Sequence, residues 1–182
     1  MHVTRRRDIP RPVFNPVAAP IYVDSSTECH VTPATVAARM AGLLPNREAS
    51  TLEPHAGTGN LIRALIEGGH APESITAIER HCGLMDVLEG NKLFESGGCV
   101  NSCFLEYAKT SERYSQIIMN PPFKTIKAHM KAAISLLDSP GVLVALVPIT
   151  YEHPEAELIE TLDSETFSTA RVNTKIIRIE RG

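Results

Sequence analysis

The alternation of short apolar runs with helical stripes limits the fold of this 182-residue sequence more than any other feature. The run at residues 142–148 and the run at residues 116–119, apolar after Gln116, are too short for helices. Such short apolar runs are typical of strands buried on both faces of a parallel sheet. Apolar residues recur at helical spacing from Leu61 to Ile66 and from Ile126 to Leu137. This order predicts an α/β fold with a doubly wound, mostly parallel sheet.

The other elements follow from the same periodicities and from the glycine and proline residues that end them. The predicted strands are residues 51–53, 74–79, 100–104, 116–119, 142–148, 166–172 and 174–180. The predicted helices are one that starts at Thr32-Pro33 and four that cover about residues 61–67, 85–94, 126–137 and 154–162. The last two of the seven strands are too close for a helical crossover, so we expect an antiparallel C-terminal hairpin.

Residues 29–182 hold all of these elements, which predicts one domain of ordinary size. Residues 1–28 contain four prolines and the cluster Arg5 to Arg7, so we expect an extended arm rather than a helix. Such a cluster suits a solvated arm and a DNA clamp about equally well.

Composition excludes several other classes of protein. The net charge of −3 does not by itself indicate nucleic-acid binding. The four cysteines lack zinc-site spacing and are predicted to be free thiols. No apolar stretch reaches the roughly 18 residues of a membrane span, and no apolar segment follows the N-terminal arginines. The expected location is cytoplasmic, and no metal site is expected.

A glycine loop at the end of the first predicted strand is the first candidate binding feature. Glu53 to Asn60 contains Gly57 and Gly59 and leads into a helix, where an open parallel sheet binds ligands. The pattern matches neither a dinucleotide nor a triphosphate motif. Glu79 ends the next strand about 20 residues later, where a carboxylate can bind ribose hydroxyls. Together these features favour a phosphate-free adenosine cofactor over a plain tight turn.

The second candidate feature is Asn120-Pro121-Pro122-Phe123, directly after an apolar strand. Two prolines fix the backbone and leave carbonyl groups free to accept hydrogen bonds. The Asn120 amide oxygen and the Pro121 carbonyl can accept both hydrogens of one amino group, and Phe123 can stack on the ring that bears it. Alone the motif would be only a turn, but its place downstream of the glycine loop favours a catalytic role.

These segments resemble the class I S-adenosylmethionine-dependent amino-methyltransferases, over about residues 28–181. In particular they are similar to N6-adenine DNA methyltransferases that carry an Asn-Pro-Pro-Phe catalytic motif. The motif order is similar to the gamma arrangement of that family, without its target-recognition domain. The resemblance implies S-adenosylmethionine as the cofactor and a Rossmann-like methyltransferase sheet.

The resemblance also implies roles for individual residues. It implies that Thr32 contacts the methionine end of the cofactor and that Glu79 binds its ribose. Cys103 stands where the family has Asp, and the resemblance implies that it contacts the adenine together with Phe104. The cofactor-binding residues implied in total are Thr32, Glu53, His55, Ala56, Gly57, Gly59, Glu79, Cys103, Phe104 and Asn120. The catalytic residues implied are Asn120, Pro121, Pro122 and Phe123.

The resulting prediction is N6-adenine methylation of DNA with low intrinsic sequence specificity. Base readout needs side chains placed in a groove, so a separate specificity subunit or a homodimer is a second source of specificity. Methylation of adenine N6 or guanine N2 in RNA, of glutamine in a protein, and a non-catalytic cofactor-binding subunit remain alternatives. His30, His55, His81 and His129 form no metal-ligand pattern and are interpreted as ordinary surface or loop residues.

Overall fold

A computed structural model describes residues 31–90, 98–164 and 173–182. Within these residues the strands are β1 (Thr51–Glu53), β2 (Ile75–Glu79), β3 (Cys99–Asn101), β4 (Tyr114–Met119), β5 (Leu137–Pro148), β6 (Ala156–Leu162) and β7 (Thr174–Arg181). The α-helices are α1 (Ala34–Ala41), α2 (Asn60–Glu67), α3 (Cys82–Gly90), α4 (Phe104–Tyr107) and α5 (Ile126–Leu136). Two single turns of 3₁₀ helix cover Pro72–Ser74 and Phe123–Thr125.

All seven described strands form one sheet in the order β3-β2-β1-β4-β5-β7-β6. The pairs from β3 to β5 are parallel, and β7 runs antiparallel to both β5 and β6. The strands β1, β2 and β3 follow one another outward in the sheet, and the chain then crosses back so that β4 pairs with the other side of β1. This reversal places a ligand crevice at the carboxyl ends of β1 and β4.

Helices cover both faces of the sheet because the central strands are apolar on both faces. Successive residues of β4 alternate, so that Ile118 packs with α1 and α2 while Ile117 and Met119 pack with α5. The same alternation continues in β5, where Leu146 faces α1 and α2 and Val147 faces α5. The predicted doubly wound α/β fold with an antiparallel C-terminal component is confirmed.

The helix predicted over residues 154–162 is wrong, because this segment is strand β6. Its Pro-Glu-Ala-Glu-Leu sequence is typical of the start of a helix, so local propensity alone predicts a helix here. In the fold, Leu158 pairs with Ile177 and Leu162 with Thr174 of β7. Pairing satisfies the backbone groups that an open β7 edge would leave unpaired, and this outweighs local propensity. The strand predicted over residues 166–172 lies outside the described residues.

Smaller differences concern the ends of elements. The predicted third strand continues to Phe104, but β3 ends at Asn101. The backbone carbonyl of Cys103 instead accepts hydrogen bonds from the N–H groups of Glu106 and Tyr107, which starts α4. Helix α3 starts at Cys82, three residues before the prediction, and the predicted end near residue 94 lies outside the described residues. So does the arm expected over residues 1–28.

No helix among the described residues is long and apolar enough to cross a membrane.

Candidate functional site

A cavity of about 350 Å³ opens at the carboxyl ends of β1, β2 and β4, at the point where the strand order reverses. Most of the residues singled out in the sequence line it, namely Thr32, His55, Ala56, Gly57, Glu79, Cys103, Phe104, Asn120 and Pro122. Glu53, Gly59, Pro121 and Phe123 lie next to these residues but outside the lining. The lining also includes Ser102, Lys124 and His129, which the sequence motifs did not mark as site residues.

The glycine loop connects β1 to α2 through two left-handed residues. Gly57 has φ 54° and Gly59 has φ 85°, both in the region that side-chain-bearing residues rarely adopt. Gly59 caps the first turn of α2 and donates its N–H to the carbonyl of Ala56 at 2.8 Å. The spacing of the two glycines therefore reflects the tight turn that brings the backbone to the cavity wall.

Glu79 fastens this loop to the end of β2. One carboxylate oxygen accepts the N–H of Gly57 at 2.8 Å, and the other accepts the N–H of His81 at 2.7 Å. Its side chain is buried yet lines the cavity. Each carboxylate oxygen has two lone pairs, so both oxygens keep capacity to accept a ligand's hydroxyl groups.

Glu53 lies behind the loop and is fully buried. One of its oxygens accepts the N–H of His55 at 3.1 Å, and the other has no hydrogen-bond partner among the described residues. Burial raises the pKa of this carboxyl group well above its usual value. The hydrogen bond from His55 lowers the pKa, but by less than burial raises it. The nearby negative charge of Glu79 also raises the Glu53 pKa.

The Asn120 motif begins where β4 ends. The Asn120 side-chain amide donates from Nδ2 to the Thr32 hydroxyl at 3.0 Å, and the Thr32 carbonyl accepts from the Asn60 side chain at 2.8 Å. Thr32 therefore connects the Asn120 motif to the first residue of α2, directly after the glycine loop, instead of capping α1, whose N-cap is Pro33. Pro122 lines the cavity with φ −60° and ψ 122°, and Phe123 is half-buried at its side.

Two histidines meet at the cavity wall. His55 lies in the loop after β1, as expected, whereas the interpretation of His129 as a surface or loop residue is wrong. His55 Nε2 and His129 Nδ1 are 2.6 Å apart, and His129 is buried on α5. The ring of Phe104 contacts His55 edge-on, with centroids 5.2 Å apart. The two histidines are 74 positions apart in sequence, and only the packing of α5 against the β1 loop brings them together.

Burial lowers the pKa of both histidines. For His55 the pKa falls well below the ordinary value, first through burial and second through His129. For His129 the pKa falls through burial and then through the positive charge of Arg80. Both rings are therefore neutral at neutral pH, and one N–H lies between them.

Cys103 and Phe104 form the part of the wall that follows β3. Cys103 is exposed to the cavity as a free thiol, whereas Phe104 is almost completely buried and belongs to the core beneath α5. Among the described residues, no group of three or more His, Cys, Asp or Glu side chains could hold a metal ion.

Comparisons with known proteins match this architecture by structure alone. No family model matches the chain, and no curated protein matches its sequence. The M protein of the type I restriction enzyme EcoKI matches with a TM-score of 0.68 and 16% identity over 84% of this chain. The 23S rRNA methyltransferase ErmE matches with a TM-score of 0.65 and 18% identity over 85% of the chain. An inferred class I S-adenosylmethionine-dependent methyltransferase from Listeria monocytogenes matches with a TM-score of 0.62 and 16% identity over 84% of the chain.

The chain covers 44% of the EcoKI M protein, 70% of ErmE and 61% of the Listeria protein. It therefore spans less than half the length of the first of these. At identities of 16–18% the similarity shows the fold. The described residues have the class I methyltransferase fold, with the candidate site at the crevice where that fold reverses its strand order.

Proposed function

We propose that this protein is an S-adenosylmethionine-dependent methyltransferase that methylates the N6 amino group of adenine in DNA. One observation carries the proposal. The Asn120–Pro122 segment and the Glu79-anchored glycine loop line the same cavity, at the crevice where this sheet arrangement binds ligands. A site for an amine and a site for an adenosine cofactor thus open on one space.

The cofactor part of the cavity fits an adenosine group that has no phosphates. The Gly57 N–H, which would face a pyrophosphate in a dinucleotide site, is occupied by the Glu79 carboxylate. The same carboxylate is placed to bind ribose hydroxyls, while Cys103 and Phe104 would border the adenine and Thr32 the methionine end. When bound, S-adenosylmethionine supplies a methyl group on a positively charged sulfur that is already a strong electrophile.

The chain's own task is then to position and desolvate the amine. Because Thr32 engages the Nδ2 group of Asn120, the amide is oriented with its oxygen as the acceptor for a substrate N–H. The carbonyl of Pro121 is the second acceptor, since a proline-rich turn holds it rigidly. Phe123, half-buried beside the cavity, is proposed to stack on the ring of the base.

Several features support a nucleic-acid substrate. Lys124 lines the cavity, and Lys127 is exposed on α5 just beyond the motif, where both can face phosphates. The structural neighbours include the M protein of a type I restriction enzyme and a 23S rRNA methyltransferase. Methylation of adenine N6 or guanine N2 in RNA is therefore the second candidate. We expect low intrinsic sequence specificity, with any further specificity coming from a partner subunit or a homodimer.

The test is methyl transfer measured in parallel on three acceptors. Purified protein is incubated with tritiated S-adenosylmethionine and unmethylated DNA, unmodified rRNA or total protein, and modified nucleosides are identified by mass spectrometry. We expect N6-methyladenine in DNA. N6-methyladenine or N2-methylguanine confined to RNA would replace the DNA proposal with its RNA alternative. Label in protein alone, or none on any acceptor, would overturn the proposed function.

A further inference from the structure

A methyltransferase that acts on an amine must also dispose of a proton. When the amine nitrogen takes the methyl group, a C–N bond forms, and the C–S bond breaks with its electron pair left on sulfur. The nitrogen then carries a positive charge and must lose one N–H proton. Asn120 cannot accept it, because a carboxamide is not basic at neutral pH.

The cavity wall offers few groups that could accept this proton. The Arg80 and Lys124 side chains offer hydrogen-bond donors and no acceptor, and the Cys103 thiol is a weak acceptor. Glu79 accepts two backbone N–H groups and has its remaining capacity assigned to the ribose, and the buried Glu53 lies outside the lining. His55 and His129 remain, and both line the cavity.

We propose that the His55–His129 pair takes up the proton released by the substrate's amino group. This inference rests on the proposed function and adds to it a role for His55 together with His129, which the sequence motifs did not identify. The geometry carries it, because the two rings are hydrogen-bonded at 2.6 Å on the wall of the cavity that Asn120 also lines.

The contact between the two rings stabilises the protonated state of the pair. His55 Nε2 and His129 Nδ1 are 2.6 Å apart, so one of these nitrogens carries an N–H and the other accepts it. When the pair takes up a proton, this contact becomes a charge-assisted hydrogen bond, which favours the protonated pair.

The charges around the pair favour proton uptake after methyl transfer rather than before it. Burial lowers the pKa of both histidines, and Arg80 lowers the pKa of His129 further, so the pair is neutral before the reaction. A cationic cofactor in the same cavity opposes protonation of the pair by like-charge repulsion. Once the methyl group has left, that charge is gone, and the pair's affinity for a proton increases as the amine becomes acidic.

The principal test compares His55→Gln and His129→Asn with wild type in single-turnover methylation across pH 5 to 8.5. His153→Gln, on the connection between β5 and β6, is the matched control. For wild type we expect a rate that falls at acid pH as the pair becomes protonated. In both pair variants the rate near neutral pH should fall by roughly 10²-fold, and the further decrease at acid pH (the acid limb of the profile) should disappear. Imidazoles of increasing basicity should rescue His55→Ala in order of their pKa.

A second measurement uses wild type alone and does not depend on turnover. The ¹⁵N signals of the two histidines are titrated in the free protein and with S-adenosylmethionine or S-adenosylhomocysteine bound. We expect the pair to titrate below the ordinary histidine range, and at lower pH with S-adenosylmethionine than with S-adenosylhomocysteine. Identical titrations with the two ligands would overturn the inference.

The outcomes separate this inference from the function on which it rests. If wild type methylates nucleic acid and folded His55→Gln and His129→Asn keep its rate and acid limb, the inference alone is wrong. If wild type methylates no nucleic acid, the proposed function fails and the inference fails with it. If a variant does not fold, the wild-type titration decides.

Discussion

In the proposed function the Glu79 carboxylate binds the ribose of the cofactor, and in the structure it also fastens the glycine loop, so we expect Glu79→Gln to weaken both. The two oxygens accept the N–H groups of Gly57 and His81 at 2.8 and 2.7 Å in a buried setting. A glutamine amide has one oxygen, so its NH₂ group must face one of these two N–H donors. The substitution keeps the size of the side chain and removes only its charge and one acceptor.

The magnitude follows from the loss of hydrogen bonds to a charged group. Each such bond contributes about 1.5–3 kcal/mol, and a buried donor left without its acceptor costs a similar amount. If one ribose hydrogen bond and the order of the loop are lost, the dissociation constant should rise by about 10- to 10²-fold. The free energy of unfolding should fall by about 1.5–3 kcal/mol, since one backbone N–H loses its acceptor.

Calorimetric titration with S-adenosylmethionine measures the first quantity, and urea denaturation without ligand measures the second. Glu67→Gln, an exposed residue at the end of α2, is the control for the change of charge and should alter neither. Unchanged cofactor affinity in folded Glu79→Gln would refute the assignment of this carboxylate to the ribose. Unchanged stability would refute its role in fastening the loop.

Three further predictions concern the loop, the histidine pair and the charged surface. Gly59 has a φ of 85°, so Gly59→Ala should lower the free energy of unfolding, measured by urea denaturation, by about 1–2 kcal/mol. The control Gly90→Ala, at a position with open space around it, should not lower it, and equal effects of the two substitutions would contradict the strain argument. Because the pKa of His129 is lowered in the fold, the unfolded chain binds protons first as pH falls through about 6.5, so wild type should lose stability from pH 7 to 5. His129→Asn should show a shallower loss, and an equal slope would count against the neutral pair. DNA binding should weaken steeply with salt concentration. Replacing Lys124 and Lys127 by glutamine should reduce the slope of log K against log salt concentration by about 0.9 for each phosphate that these lysines neutralise. An unaltered slope would exclude the two lysines from the interface.

The sequence predicted the central part of the fold because its signals are local there. The continuous apolar run of β5 and the helical stripe of α5 each extend over enough residues to be unambiguous, and the glycines at 57 and 59 mark a turn that needs positive φ. Strand β6 was missed because its residues favour a helix when read alone. Its strand conformation comes from pairing with β7, which follows it only after residue 173.

The same distinction holds for the candidate site. Asn120 and Glu79 were identified because each lies at the carboxyl end of a strand, at the edge where parallel sheets bind ligands, and both line the cavity. The His55–His129 pair had no such signal, because the second histidine lies on the buried face of a helix 74 positions away. The only hint in the sequence was the spacing of His129 with Met130 and Ala133 on the buried face of α5.

The most direct test of the account is the single-turnover rate of Asn120→Ala on adenine-containing DNA. Thr32→Val is its control, since it removes the 3.0 Å hydrogen bond between the two side chains but keeps the amide. If Asn120 binds the reacting amine, its contribution is greatest in the transition state, so the rate should fall by on the order of 10²-fold or more. Cofactor affinity and thermal stability should change little, and Thr32→Val should retain a much larger share of the rate. A folded Asn120→Ala protein that methylates DNA at a near-wild-type rate would contradict the assignment of this cavity as an amino-methyltransferase site.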